Sequence, residues 1–116
     1  MASRRYHRLV SSAASDNATI AFNSSCTIHH ILGYNAAGGA VYLKLYQLAD
    51  PTVAPASTDT PIMTIYLPSA GAFALDFADG LIVPKGLGYR LVTGSADNNT
   101  TAVASGDILG LNIAAY

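Results

Sequence analysis

The sequence predicts one all-β domain, a β-sandwich of jelly-roll or related Greek-key topology. Three observations predict it. Apolar residues alternate with polar or small ones in short segments, the period of a strand. Clusters of Gly, Pro, Asn, Asp and Ser break the alternation at roughly the 8–12-residue spacing of all-β chains. No segment sustains the 3.6-residue period of a helix between caps, and the nearest, Thr100 to Ser105, is one turn at most. The chain has 116 residues, the size of a single domain with a core of its own.

Each expected strand has its own signature. Residues 5–11 and 18–23 are the first two expected strands. In 26–35, Ile28, His30, Leu32 and Tyr34 oppose His29, Ile31, Gly33 and Asn35. Residues 40–48 place Val41, Leu43 and Leu45 on one face and Tyr42, Lys44, Tyr46 and Leu48 on the other. In 61–67, Ile62, Thr64 and Tyr66 oppose Met63, Ile65 and Leu67. Asp79-Gly80 reads as a turn, so 72–77 and 80–83 are expected as two strands. In 86–93, Leu87, Tyr89 and Leu91 oppose Gly88, Arg90 and Val92; in 107–115, Leu109, Leu111, Ile113 and Ala115 oppose Ile108, Gly110, Asn112 and Ala114. The one long loop, 50–61, has its freedom limited by three prolines.

Several strands are thus apolar or aromatic on both faces, whereas the outer face of a two-layer fold should be mostly polar. Composition points the same way. Hydrophobic residues make up 51% of the chain and charged residues 11%, against about 25% charged in ordinary domains. Some sheet must be covered, by another chain or by the 50–61 loop. Tyr42, Lys44 and Tyr46 are the expected assembly face: tyrosine gives large contact area with one polar tip, and a lysine stem can lie along the rings.

Charge is unevenly spread. Arg4, Arg5 and Arg8 lie in the first eight residues, while from residue 9 on three basic residues face seven Asp. Residues 1–16 are therefore read as a basic N-terminal arm or first strand on a domain spanning 17–116. Arg4, Arg5, Tyr6 and Arg8 are expected to dock an acidic neighbour, another copy included. Six basic residues on an acidic body argue against nucleic acid as the partner. The longest apolar runs fall far short of a membrane helix, and no signal peptide is expected. The lone Cys26 can form no intrachain disulfide and is expected in the core.

No catalytic constellation is visible, and an enzyme is not expected. His29 and His30 should point to opposite faces of a strand and cannot chelate one ion together. Asp76 and Asp79 are the closest carboxylates, with Asp79 better explained by a turn. Asp97, Asn98, Asn99, Thr100 and Asp107 supply oxygens, but their spacing fails a calcium loop and suits Asx turns. No metal and no cofactor are expected.

Four segments carry a resemblance. They are Gly33-Tyr-Asn-Ala-Ala-Gly-Gly-Ala-Val-Tyr-Leu-Lys-Leu-Tyr46, Thr58-Asp-Thr-Pro-Ile-Met-Thr-Ile-Tyr-Leu-Pro68, Gly86-Leu-Gly-Tyr-Arg-Leu-Val-Thr-Gly94 and the close from Ala96 to Asn112. Together they resemble small β-rich virion structural proteins of tailed bacteriophages, over residues from about 30 to the C-terminus. The resemblance implies a virion component made in the host bacterial cytoplasm. The expected role is a capsid decoration or cement protein that oligomerises, as a trimer, and bridges major capsid subunits. A tail, baseplate or fibre subunit touching the host surface is the alternative.

Overall fold

The computed structural model describes residues 4–12 and 16–116. Eight strands follow in order: β1 (Arg5–Leu9), β2 (Thr19–Phe22), β3 (Cys26–Asn35), β4 (Val41–Gln47), β5 (Met63–Leu67), β6 (Gly71–Val83), β7 (Leu87–Val92) and β8 (Ile108–Ala115). They form two antiparallel sheets of four strands. The first has the order β1-β8-β3-β6 and the second β2-β7-β4-β5.

The alternation read from the sequence explains the core. Val41, Leu43 and Leu45 of β4 and Leu87, Tyr89 and Leu91 of β7 turn inward from the second sheet. They meet Ile28 and Ile31 of β3, Phe73 and Val83 of β6, and Ile108, Leu111 and Ile113 of β8. These residues make one contiguous cluster, which removes apolar surface from water at about 25 cal/mol per Å². Cys26 is buried within it.

Two irregularities change the faces. The register slips in β3 between Ile28 and His30, so Ile28 and Ile31 both point inward while His30, Leu32 and Tyr34 point out. In β8 the chain bulges at Gly110, whose φ of +58° suits glycine, so Ile108 and Leu111 are both buried and Leu109 is exposed. The expected alternation of 26–35 and 107–115 is corrected at these points. A single extra residue inverts every side chain beyond it.

The expected turn at Asp79-Gly80 is also corrected: β6 runs unbroken over thirteen residues. Gly80 takes a φ of +79° inside a bulge that sets six residues of β6, Asp76 to Leu81, against the three residues Ile28 to His30 of β3. Turn chemistry and bulge chemistry ask for the same residue, so the dipeptide alone does not separate them.

Candidate assembly surface

The outer faces of the two sheets are built in opposite ways. On the second sheet, Lys44 of β4 sits directly across from Arg90 of β7. Both are 0% exposed, and Tyr46 is buried beside them. The cover is the chain itself. Arg90 donates from Nε to Asp16 Oδ2 at 2.8 Å, from Nη1 to the Tyr46 hydroxyl at 3.1 Å and from Nη2 to the Asn99 carbonyl at 2.6 Å. The Lys44 ammonium donates to the Ala96 carbonyl. Segments around Asp16 and Ala96–Asn99 are thereby laid across β7 and β4. The other end of the face is closed by the loop after β4: a Cβ on Gly88 would lie 2.5 Å from Pro55 and 2.7 Å from Leu48.

Burial has the expected electrostatic consequence. Loss of solvent pushes the Lys44 ammonium below its ordinary value, the adjacent Arg90 pushes it further, and Asp97 opposes both. Burial also works against Arg90, but its hydrogen bonds to Tyr46 and Asp16 outweigh that and hold it above its ordinary value. No buried side-chain nitrogen or oxygen among the described residues lacks a partner.

The expectation that Lys44 and Tyr46 present a face to another chain is therefore corrected. An apolar outer face does need a cover, and this chain supplies it with its own loops, including part of the 50–61 segment. Only Tyr42 remains partly open, packed on the exposed Tyr66 of edge strand β5 with ring centroids 5.7 Å apart. Arg90 is the residue that sequence reasoning missed. Its signal was a lone cation in an otherwise apolar strand, flanked by glycine at Gly88 where a cover can approach.

The first sheet carries no such cover among the described residues. Its outer face is a set of cross-strand rows. One row is Tyr6–Ala114–His30–Asp76 and the next is Arg8–Asn112–Leu32–Ala74. A third joins Leu109 and Tyr34 to Ala72. Tyr6 is 72% exposed, and Leu32, Tyr34 and Leu109 are all exposed as well. Leu32, Tyr34 and Leu109 were not expected as surface residues, because the two bulges that turn them outward were not foreseen.

Of the basic N-terminal residues, 5–9 form edge strand β1 rather than a separate arm, and residues 1–3 lie outside the described residues. Arg5 is held by its own chain: it donates to Ser24 Oγ at 2.9 Å and to the Ser25 and Tyr116 carbonyls at 2.5 and 3.1 Å, and lies over the Phe22 ring. Arg4 donates to the Tyr116 hydroxyl at 2.7 Å. Tyr6 and Arg8 are exposed on the outer face, with the Tyr6 hydroxyl beside the Arg4 guanidinium.

His29 and His30, expected on opposite sides, line one shallow cleft of about 180 Å³ with Arg4, Tyr6, Ala114 and Tyr116. The β3 bulge turns both the same way. His29 meets Tyr116 edge-on at 4.7 Å, and His30 Nδ1 contacts Asp76 Oδ1. No set of three or more His, Cys, Asp or Glu among the described residues is grouped to hold a metal. Asn99 accepts the backbone N–H of Thr101, as an Asx turn does, and Asp107 accepts that of Ala104, three residues before it.

His7 points inward from β1 and ties the two sheets together. Its Nε2 lies 2.7 Å from the Tyr89 hydroxyl of β7, and its ring packs edge-on to Phe22 and Tyr89. Burial lowers the His7 pKa below its ordinary 6.5 and raises that of Tyr89.

No protein-family model matches the chain, no curated protein matches its sequence, and no solved structure matches its fold.

Proposed function

We propose that this chain is a non-enzymatic virion structural protein of a tailed bacteriophage, a capsid decoration or cement protein that associates with copies of itself and bridges major capsid subunits. The observation that carries the reading is the uncovered outer face of the first sheet, where Tyr6, Leu32, Tyr34 and Leu109 stand exposed in adjacent rows. Exposed apolar patches of this kind mark interaction sites. The work of such a protein is passive: burying this face against neighbours adds contact area that resists pressure from within the particle.

The strand order supports the reading. Strands β1·β8, β2·β7, β3·β6 and β4·β5 pair as in one long hairpin, and successive pairs alternate between the two sheets. We read this order as compatible with an eight-stranded jelly roll, a fold used in viral capsids and also in lectins and cupins. The fold alone does not choose among those roles. The uncovered face and the four resembling segments favour the virion.

Quantitative mass spectrometry of purified virions tests the proposal. A copy number close to that of the major capsid protein is expected, with the protein lost or retained together with the head. A low copy number that follows the tail replaces the head assignment with a tail, baseplate or fibre subunit, for which the exposed Val53 in the long loop offers a contact point. Absence from the particle sinks the virion reading altogether.

A further inference from the structure

We propose that a second copy of this chain docks on the first sheet, with β1 of one copy against β6 of the other and Arg8 meeting Asp76 and Asp79. The inference rests on the assembly reading above and names the surfaces that reading uses.

The charges left over after folding point to this pairing. Arg90 and Lys44 are buried, and Arg4 and Arg5 are bonded to their own chain. Two exposed cations have no hydrogen bond or ion pair among the described residues, Arg8 on β1 and Lys85 in the turn after β6, and of these only Arg8 lies on a strand. Among the acids, Asp16 holds Arg90, Asp97 lies beside Lys44, and Asp50, Asp59 and Asp107 accept backbone N–H bonds within turns. The two that remain are Asp76, which faces only the exposed His30, and Asp79, which has no partner among the described residues. Both belong to β6.

β1 and β6 are the opposite edges of one sheet. Each is paired on one side only, so each keeps a row of unbonded backbone groups, a ready template for another chain. β1 carries arginines and no acid; β6 carries aspartates and no base or proline. β6 has thirteen residues and none of the lysines or prolines that usually blunt an edge. Side-chain size is complementary too. Tyr6 projects from β1, while β6 presents the small exposed Ala72 and Ala74. Setting β1 on β1 would bring Arg8 against Arg8, and β6 on β6 would gather carboxylates, so like edges repel. The two patches differ and lie on opposite edges of the sheet, so the contact is head-to-tail and repeats around a closed ring or along a filament.

Sedimentation velocity and light scattering on the full chain, over a range of concentration and salt, test the contact. The unaltered chain should be oligomeric, and more weakly so at high salt. Arg8→Asp should weaken association at least tenfold, and so should Asp76→Arg with Asp79→Arg. Combining all three substitutions in one chain should restore it. Circular dichroism confirms that each variant is folded, and all three positions are exposed, so folding should survive. As a second probe, Tyr6→Cys with Ala74→Cys should give an intermolecular disulfide under mild oxidation. An oligomer whose mass ignores these reversals places the contact elsewhere and overturns this inference while leaving the assembly reading intact. A chain that stays monomeric at every concentration overturns the inference as well, and virion binding then decides the assembly reading separately.

Discussion

The outer faces of the two sheets started from similar material and reached different ends. Both hold tyrosines, leucines and cations. On the second sheet, the Arg90 guanidinium gathers Asp16, Tyr46 and Asn99 around itself, and these groups shut the β7 and β4 centre of the face from water, while Tyr66 on edge strand β5 stays exposed. On the first sheet, Arg8 gathers nothing among the described residues and the rows around it stay open. The difference teaches that an apolar outer face is not by itself a docking site. It is available as one only where no loop and no polar anchor of the same chain cover it.

Removing the anchor should have the largest effect. Arg90→Ala strands the Tyr46 hydroxyl and leaves Asp16 without its partner, which for buried pairs costs about 3–5 kcal/mol. Urea denaturation should show that loss together with new exposure of tyrosine fluorescence. An effect below about 1 kcal/mol would mean the loops are held by other contacts. Next comes the cover at the opposite end. Gly88→Val drives a side chain into Pro55 and Leu48 and should cost about 1–3 kcal/mol, with proteolysis in the 48–55 segment rising in step.

The pin between the sheets gives a smaller, pH-dependent effect. Burial keeps His7 neutral in the folded chain and lowers its pKa, so the unfolded chain binds the proton more tightly. The stability that this neutral state provides is present above the unfolded value of 6.5 and is lost as the pH falls through it toward the lowered folded value. Melting temperature should therefore decline on acidification in the unaltered chain and decline less in His7→Gln. Equal slopes for the two proteins would remove His7 from the account. The smallest stability effect belongs to the open face. Leu32→Ser with Tyr34→Ser should move stability by no more than about 0.5 kcal/mol per site. If the same double variant still associates as the unaltered chain does, the open face is not where copies meet.

Much of this was legible beforehand. The alternation in 40–48 and 86–93 identified Val41, Leu43, Leu45, Leu87, Tyr89 and Leu91 as one side of the core, because side-chain direction in an unbroken strand follows from count alone. Both those strands were also rightly read as apolar on their second face. What covers that face was not legible: the loops through Asp16, Pro55 and Asn99 reach Arg90 and Gly88 from far along the chain. The open face was misassigned for another reason. Its outward residues depend on bulges at residues 28–30 and at Gly110, and a bulge leaves little more than a glycine or a histidine pair as its trace.

Alternation and turn residues by themselves determined the class of fold and the inner surface of most strands, since both are properties of neighbours along the chain. Tertiary structure alone decided which sheet closes over itself and which stays open. That choice depends on whether a distant segment can bring a carboxylate and carbonyls to a buried cation, and no local pattern records the distance that a folded loop will span.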